Sequence, residues 1–268
     1  MEPPRGWAAL NLRELWEYRD LLYFLTWRDI KTRYSQTALG PLWIVLQPLF
    51  SMVVYSVIFG GIAKLPTGGI PYPVFSFSGI LPWDFFSDSI NSGLNSLLIN
   101  RTVISKVYFP RLHLAFSRVI SSLLDLAIAT VILFGMILYY NLRPNWTLVF
   151  IPLYLGIAMT TGLGFGLLMS GLIVKYRDLG QFVSMFTRAW MYATPVVYSI
   201  EAIPEQWRTL YQLNPITNVV IGFRYALLGA GTPPDWKMVL LSAVLGISLF
   251  LAGLFAFKRG ESNIVDGA

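Results

Sequence analysis

The chain has 268 residues, of which 55% are hydrophobic and 13% are charged, whereas roughly a quarter of the residues in soluble domains are charged. This composition and the mean hydropathy of +0.59 indicate a polytopic membrane protein and exclude a large soluble domain. The lack of cysteine and the single histidine exclude disulfides, thiolate metal sites and a histidine cluster. The net charge of +6 does not indicate nucleic-acid binding, because the basic residues lie beside predicted membrane spans.

The first predicted element is an amphipathic helix over residues 11–34. Its apolar residues recur at helical spacing between charged ones, and Asn11 with Glu14 has the spacing of a capping box. The segment is too short and too charged to span a bilayer, so we expect it to lie on the membrane surface. A solvated helix is the alternative, but it would expose many aromatic side chains to water. Residues 1–20 lack the apolar core of a signal peptide, so we expect a cytoplasmic N-terminus.

Six membrane-spanning helices are predicted after the surface helix, since a bilayer core of roughly 30 Å requires about 20 apolar residues per helix. Hydropathy places them at 40–62, 74–99, 117–140, 147–174, 181–200 and 238–257. In the first span, Gly40 and Pro41 predict the corner where the chain turns into the membrane. Pro48 predicts a kink, and Gln47 is placed to satisfy the backbone groups that the kink frees.

Residues 201–236, between spans five and six, are half apolar but are interrupted by Pro204, Pro215 and a Pro-Pro pair. Neither half is long enough to cross the bilayer, so short re-entrant or interfacial helices are predicted. Most lysines and arginines lie before span one, between spans two and three, between spans four and five, or after span six. Because cytoplasmic loops are enriched in basic residues, both termini are predicted to be cytoplasmic.

The second span carries a polar stripe. Asp84, Asp88, Asn91 and Asn95 recur at the spacing that places side chains on one face of a helix. Carboxylates that face lipid are strongly unfavourable, so this face is expected to contact water or protein. Two interpretations stay open: the stripe lines a hydrated conduit, or it only forms hydrogen bonds to neighbouring helices.

Aromatic residues lie inside the spans as well as at their ends. They are Tyr55, Phe59, Phe75, Phe77, Trp83, Phe85, Phe86, Phe186, Trp190, Tyr192 and Tyr198. Flat rings stack on the C–H faces of sugars while phenol or indole groups form hydrogen bonds with hydroxyls, so the pattern suits a sugar passage. Interfacial belts and ordinary packing also collect such residues, which is the alternative interpretation.

The fourth and fifth spans carry two further features. Gly162 and Gly166 form a small-xxx-small pair, which predicts close helix packing. Arg188 lies within the fifth span and requires a partner, either an acid of a neighbouring span, such as Asp125, or a phosphate on a substrate. The sequence contains no phosphate-binding loop, nucleophile elbow or metal constellation. Any ATP-driven work therefore requires another subunit.

Several segments together resemble one family. The segments are, in chain order, RDIKTRYSQTALGPLWIVLQPL, SGILPWDFF, NRTVISKVYFPR, VKYRDLGQFV, TPVVYS and LNPITNVVIGFRYALLG. Their order and spacing resemble the membrane subunit of ABC-2 type polysaccharide exporters, the O-antigen, capsule and teichoic acid transporters of bacteria. The resemblance covers residues 20–260, and Arg188 is not part of the pattern.

The resemblance implies one ABC-2 type transmembrane domain over residues 1–268, with a six-span core at 40–257, no catalytic residues and no cofactor of its own. It implies a multi-pass protein of the bacterial inner membrane that forms a homodimer and pairs with two copies of a cytoplasmic ABC ATPase, which bind ATP and magnesium. The implied cargo is a glycan such as O-antigen on a polyprenyl pyrophosphate lipid, a part of lipopolysaccharide biosynthesis. The surface helix then lies at the cytosolic face, and 201–236 forms an extracytoplasmic re-entrant hairpin.

Short cytoplasmic helices receive the ATPase stroke in this family, and they match segments 100–111 and 175–180. The residues implied in coupling are Lys106, Phe109, Arg111, Tyr176, Arg177 and Asp178. The basic residues of segment 100–111 also suit binding of the lipid pyrophosphate, or simply hold that loop inside the cell. A helix cap is an equally good interpretation of Asp178.

The hypothesis that follows is ATP-driven extrusion of a lipid-linked glycan through a channel on the dimer axis. Candidate ligands of the pyrophosphate are Arg28, Lys31, Arg33 and Arg101. Candidate channel residues are Tyr55, Phe59, Trp83, Asp84, Phe85, Phe86, Asp88, Trp190 and Tyr198.

Three other functions compete with this hypothesis. An ABC-2 exporter of small amphiphiles or drugs would share the architecture. A membrane-embedded sugar transferase is disfavoured because the predicted inward loops are basic and poor in acids beyond the N-terminal segment. An ion-coupled transporter is disfavoured because matching broken helices in both halves are absent from the sequence pattern.

Overall fold

A computed structural model describes residues 17–35, 40, 42–96, 112–176 and 178–265 of the chain. Within these residues the chain is all-α, as predicted, and contains no strand. The α-helices are α1 (Arg19–Ser35), α2 (Leu42–Tyr55), α3 (Tyr72–Leu94), α4 (Leu112–Tyr139), α5 (Ile151–Lys175), α6 (Leu179–Tyr192), α7 (Glu205–Gln212), α8 (Pro215–Leu228) and α9 (Trp236–Val265). A π-helical segment, Ser56–Ile62, extends α2, and 3₁₀ segments, Trp146–Phe150 and Ile200–Ala202, precede α5 and α7.

Four helical segments among the described residues are long and apolar enough to cross a membrane. They are Leu42–Ile62, Leu112–Tyr139, Trp146–Ile173 and Trp236–Arg259. These segments agree with the predicted spans one, three, four and six. Helices α3 and α6 occupy the positions of spans two and five, but α6 has only 14 residues. It is shorter than predicted because the chain leaves the helix after Tyr192 and enters a turn that contains Pro195. The count of six spans stays a prediction.

Helix α1 lies in the predicted surface segment. One side of it packs on α4 and buries Leu25. The other side exposes the aromatic rings of Tyr23, Phe24 and Trp27, whereas Tyr18, just before the helix, contacts His113 of α4 with ring centroids 6.3 Å apart. Aromatic rings that share a helix with charged residues are typical of a membrane interface. The predicted capping pair, Asn11 and Glu14, lies outside the described residues.

Helix α2 contains Pro48, whose ring is buried. Gly40 precedes this helix with a φ of +52°, a backbone conformation that glycine adopts without strain; Pro41 lies outside the described residues. The π-helical extension of α2 approaches α3 closely at Gly60, where a Cβ atom would lie 2.7 Å from Cγ of Tyr72. The end of α2 therefore packs on the beginning of α3.

Helix α5 lies at the centre of the fold, between α3 and α9. The backbones approach closely because glycines face both neighbours. A Cβ at Gly166 would overlap the carbonyl oxygen of Ile90 in α3, and one at Gly164 would lie 2.6 Å from the amide nitrogen of Phe250 in α9. A Cβ at Gly162 would also approach α3. The small-xxx-small contact predicted from Gly162 and Gly166 is therefore confirmed.

Helix α3 is buried along most of its length because α2, α4, α5 and α8 surround it. Its buried serines satisfy their hydroxyls within the helix. The Oγ atoms of Ser78, Ser89 and Ser92 donate to the carbonyl oxygens of Phe75, Phe85 and Asp88 at 2.8, 2.8 and 2.7 Å. Such bonds to the preceding turn remove the cost of an unsatisfied buried hydroxyl.

The predicted short helices after span five are α7 and α8. No residue of α7 is buried, whereas α8 packs on α3, α5 and α9. Helix α8 begins at Asn214, whose side chain accepts a hydrogen bond from the Ile216 amide, and Pro215 occupies its first position. It ends at Gly229, which has a φ of +63° and is pressed against the Arg143 carbonyl oxygen.

Candidate functional site

The surface helix is attached to α4 by a carboxylate. Ser117 Oγ in α4 donates to Asp29 Oδ2 at 2.9 Å, and Arg28 approaches Asp29 Oδ1 with Nη2 at 2.9 Å and Nε at 3.3 Å. The Asp29 side chain is 14% exposed and the Arg28 side chain 38% exposed. Asp29 therefore orients Arg28 while it fixes α1 on α4. Sequence reasoning missed this contact, because nothing in the local pattern pairs a helix in 11–34 with Ser117.

The four predicted pyrophosphate ligands are described only in part. Arg28 is held by Asp29, and Lys31 is exposed one turn further along α1. The side chain of Arg33 and the whole of Arg101 lie outside the described residues. The structure therefore places two of the four basic groups on one helix and leaves the other two as predictions.

The predicted coupling residues are described even less completely. Lys106, Phe109, Arg111 and Arg177 lie outside the described residues. Tyr176 and Asp178 are both exposed at the turn between α5 and α6. Asp178 occupies the N-cap position of α6, as the capping interpretation expected, but its side chain accepts no capping hydrogen bond.

Aromatic rings connect α3, α5 and α6 in one continuous cluster. Trp83 lies 5.2 Å from Phe86, and Phe86 lies 5.1 Å from Trp190, as measured between ring centroids. Trp190 also contacts Phe165 and Phe186 at 5.8 and 5.3 Å. The cluster ends at Phe182, which stacks on Phe186 with an interplanar angle of 17°. These separations are those of favourable aromatic pairs.

The exposed edge of this cluster lies on α6. Trp83, Phe85 and Phe86, which the sequence singles out as channel residues, are 4%, 2% and 0% exposed in the protomer. Phe182 and Phe186 are 53% and 39% exposed. The part of this cluster that is exposed on the protomer surface is therefore formed by α6. Sequence reasoning had not selected Phe182, although its spacing of four from Phe186 could have indicated a shared face.

The other aromatic residues predicted to line the channel lie outside this cluster. Tyr55, Phe59 and Tyr198 are partly buried. The Tyr55 hydroxyl lies 3.9 Å from Sδ of Met191, which brings the end of α2 against the end of α6. The Tyr198 hydroxyl donates to the Tyr192 carbonyl oxygen at 2.8 Å. Two of these three tyrosine and phenylalanine positions therefore lie beside the last turn of α6.

The polar stripe on α3 forms the least buried side of that helix. Asp84 is partly buried, while Asp88 and Asn91 are exposed in the protomer. Asn95 donates from Nδ2 to the Asn91 carbonyl oxygen at 3.0 Å. The stripe therefore faces outward from a helix that is otherwise enclosed, and both interpretations of it stay open.

A buried arginine fixes the turn that follows α6. Arg224 of α8 is 6% exposed. Its Nη1 and Nη2 donate to the carbonyl oxygens of Pro195 and Val196 at 3.2 and 2.6 Å, and its guanidinium lies 3.8 Å from the Phe75 ring centroid. Gly79 leaves room for the guanidinium, because a Cβ there would overlap Nη2.

Two further hydrogen bonds hold the same turn. The Tyr72 hydroxyl of α3 donates to the Val197 carbonyl oxygen, and Asn214 Nδ2 donates to Thr194 Oγ1 at 3.0 Å. Through Arg224, the TPVVYS and FRYALLG segments contact each other, and the two further hydrogen bonds hold TPVVYS in place. Arg224 lies in the segment 201–236, which the sequence analysis placed between spans five and six. An arginine inside the apolar run VVIGFRYALL was the signal that it is buried and partnered.

Comparison with known proteins agrees with this architecture. The profile of the ABC-2 type transporter family matches residues 20–228. The chain is 32% identical over 254 residues to the O-antigen export system permease protein RfbA of Myxococcus xanthus, covering 93% of this chain and 96% of the relative. It is 30% identical over 242 residues to a protein of the same name from Klebsiella pneumoniae, covering 90% and 92%. The polysialic acid transport protein KpsM of Escherichia coli is 22% identical, covering 89% and 92%. The chain therefore belongs to the ABC-2 type transporter family.

Proposed function

We propose that this chain is the membrane subunit of an ATP-driven exporter that moves a polyprenyl-pyrophosphate-linked polysaccharide across the bacterial inner membrane. The observation that carries the proposal is similarity over nine tenths of the chain to relatives named as O-antigen export permeases. The chain acts as a transport subunit rather than an enzyme. ATP and magnesium are bound by a partner ATPase, because the sequence contains no phosphate-binding loop.

The active assembly in this proposal is a homodimer with two ATPase copies. The protomer supports this because two adjacent helices expose large apolar side chains. They are Phe50, Val53, Val57, Ile58 and Ile62 on α2 with its π-helical extension, and Phe182, Met185 and Phe186 on α6. Lipid or a second copy can cover these faces, and a channel on a two-fold axis requires the second copy. Both termini are cytoplasmic in this arrangement.

The lipid-linked cargo enters beside α1. Arg28 and Lys31, together with Arg33 and Arg101, bind the pyrophosphate, because guanidinium and ammonium groups form charge-assisted hydrogen bonds with phosphate oxygens. The exposed aromatic rings of α1 hold the helix in the headgroup region, where the pyrophosphate also lies. The turn that contains Tyr176, Arg177 and Asp178 and the segment that contains Lys106, Phe109 and Arg111 contact the ATPase.

Deletion of the gene tests the proposal. Cells that lack it are expected to accumulate the lipid-linked glycan in the inner membrane and to lose surface polysaccharide, and a plasmid copy restores export. A tagged chain is expected to co-purify with an ABC ATPase. Normal surface glycan in the deletion strain, combined with increased sensitivity to amphiphilic drugs, would instead establish the small-amphiphile exporter, which is the alternative function for the same architecture.

Loss of the ring cluster is expected to slow the passage of the sugar chain. Each ring–sugar contact contributes about 1 kcal/mol, so Phe182→Leu, Phe186→Leu and Trp190→Leu are each expected to lower the export rate about fivefold. Leucine keeps the apolar volume close to native at the two phenylalanines and part of it at Trp190, which limits damage to packing. The measurement is the rate at which full-length polymer reaches the surface, at matched protein levels. Tyr139, exposed at the end of α4, and Trp146, exposed at the start of the 3₁₀ segment before α5, serve as leucine controls.

Unchanged export of full-length polymer in the triple leucine variant would contradict the ring model. Comparison of these three α6 variants with leucine variants of the buried α3 rings distinguishes a role in transport from a role in packing. If Trp83→Leu and Phe86→Leu lower the amount of folded protein while the α6 variants do not, then the α3 rings act in packing and the α6 rings act in transport.

A further inference from the structure

Arg188 lies far from the ends of the apolar spans, on the surface of the protomer. Its neighbours Phe186 and Trp190 contact Phe165 of α5, each with ring centroids 5.8 Å apart. Phe165 precedes Ile173, where the apolar segment of α5 ends, by eight residues, or about 12 Å at the helical rise. Arg188 is therefore level with the middle part of an apolar span, and its side chain is too short to reach the end of that span.

Arg188 points away from the protomer. The side of α6 that packs on its neighbours carries Val183 and Thr187, both buried. At about 100° per residue, Arg188 lies about 140° around the helix from Val183. It is exposed, and no described residue forms an ion pair or hydrogen bond with its side chain.

The same face of α6 is polar over its first two turns. Gln181, Ser184 and Arg188 are spaced by three and four residues, which places them in one row, and all three are exposed. An arginine that faces hydrocarbon at this depth is strongly unfavourable, so this row faces water or protein. Phe182 and Phe186, the exposed edge of the ring cluster, lie about 120° and 160° around the helix from Arg188. The polar row and the rings therefore occupy different sides of α6.

We propose that Arg188 lines the translocation path and binds anionic oxygens, phosphate or carboxylate, on the passing glycan. A guanidinium suits this role because its planar array of N–H donors forms paired hydrogen bonds with such groups. Gln181 and Ser184 supply further hydrogen-bonding groups along the row. The inference rests on the proposed export function and names a residue that selects cargo by charge.

Single cysteines test which environment the row faces, and the chain is a suitable background because it contains no cysteine. In membranes that contain the complete transporter, a charged methanethiosulfonate reagent is expected to label Ser184→Cys and Arg188→Cys. Val183→Cys is the matched control on the buried face and is expected to stay unlabelled. Lack of labelling at both 184 and 188 would overturn the proposal, because the row would then face lipid or a dry contact with a second copy.

Protection of Ser184→Cys tests the anion and its source. Inorganic pyrophosphate or an oligomer of glucuronic acid is added before the reagent, with a neutral oligosaccharide as the control. Protection that disappears in Ser184→Cys/Arg188→Gln supports the proposal: pyrophosphate protection identifies the lipid headgroup as the source, and glucuronate protection identifies acidic sugars. Equal labelling with and without both anions would overturn it.

Charge relocation supplies the functional test. Arg188→Gln is expected to lower glycan export about tenfold, the effect of losing one charge-assisted hydrogen bond. Ser184→Arg/Arg188→Gln restores the charge one turn away in the same row and is expected to recover export, whereas Ala189→Arg/Arg188→Gln places it on another face and is not. Equal export by both double variants would overturn the proposal. Because labelling and anion protection need no glycan assay, they hold or fail separately from the proposed function.

Discussion

Gly166→Ala is expected to destabilise the permease by about 1–3 kcal/mol, and Gly166→Val by more. The added Cβ would overlap the Ile90 carbonyl oxygen and lie 2.9 Å from the Leu94 amide nitrogen. Both are backbone atoms of α3, so no side chain can rotate away and the two helices must separate. Separation also removes the neighbouring contacts of Gly162, because both glycines lie in one row of α5.

Gly156→Ala is the matched control for this prediction. It lies in the same helix, and a Cβ there would meet nothing within 4 Å. Since alanine is a better helix former than glycine, this variant is expected to be neutral or stabilised by up to about 1 kcal/mol. The measurement is the thermal midpoint of the detergent-purified protein. Size-exclusion chromatography reports the fraction that stays folded at each temperature. Equal midpoints for the two alanine variants would contradict the close approach of α3 and α5.

Arg224→Met is expected to cost about 3 kcal/mol or more, because it leaves the carbonyl oxygens of Pro195 and Val196 without their donors in a buried position. Arg224→Lys keeps the charge but cannot reproduce the two separate guanidinium donors, so we expect an intermediate loss. Gly79→Ala gives an independent test from the other side, since its Cβ would displace Nη2 of Arg224. The expected result is a lower thermal midpoint and faster proteolysis of the turn at 193–199.

Arg208→Met is the control for Arg224. Arg208 also donates to backbone carbonyls, those of Ile203 and Glu201 at 2.9 and 3.0 Å, but it lies on α7, which has no buried residue. Water can replace its hydrogen bonds, so a loss below about 1 kcal/mol is expected. If Arg208→Met and Arg224→Met were equally stable, the guanidinium of Arg224 would not hold the turn.

The positions of the long apolar helices could be predicted from the sequence because a helix that crosses the bilayer requires mostly apolar side chains along its whole length. The helices at 42–62, 112–139 and 146–173 begin and end close to where hydropathy placed them. The glycine contact was also predictable, because Gly162 and Gly166 share a helix face at any register.

The partners of polar residues could not be predicted, because they depend on which helices become neighbours. Asp29 and Ser117 are 88 residues apart in the chain, and nothing local to either indicates the other. The burial of Arg224 was hidden in the same way, since the proline-broken segment 201–236 around it resembles an exposed loop in composition. The enclosure of Trp83 and Phe86 was equally hidden, because a hydropathy profile does not distinguish rings that face a path from rings that face another helix.

The pairing of Arg28 with Asp29 has a consequence for the lipids around the transporter. A headgroup that binds Arg28 must first displace the Asp29 carboxylate, so occupancy depends on the difference between two affinities. A phospholipid with a single negative charge exchanges one anion for an equivalent one and gains little. A pyrophosphate carries more negative charge, so its binding to Arg28 is more favourable than the contact with Asp29 that it displaces. In the proposed function, the Asp29 carboxylate therefore competes with the abundant anionic phospholipids for Arg28. The site stays available to the rarer polyprenyl pyrophosphate lipid.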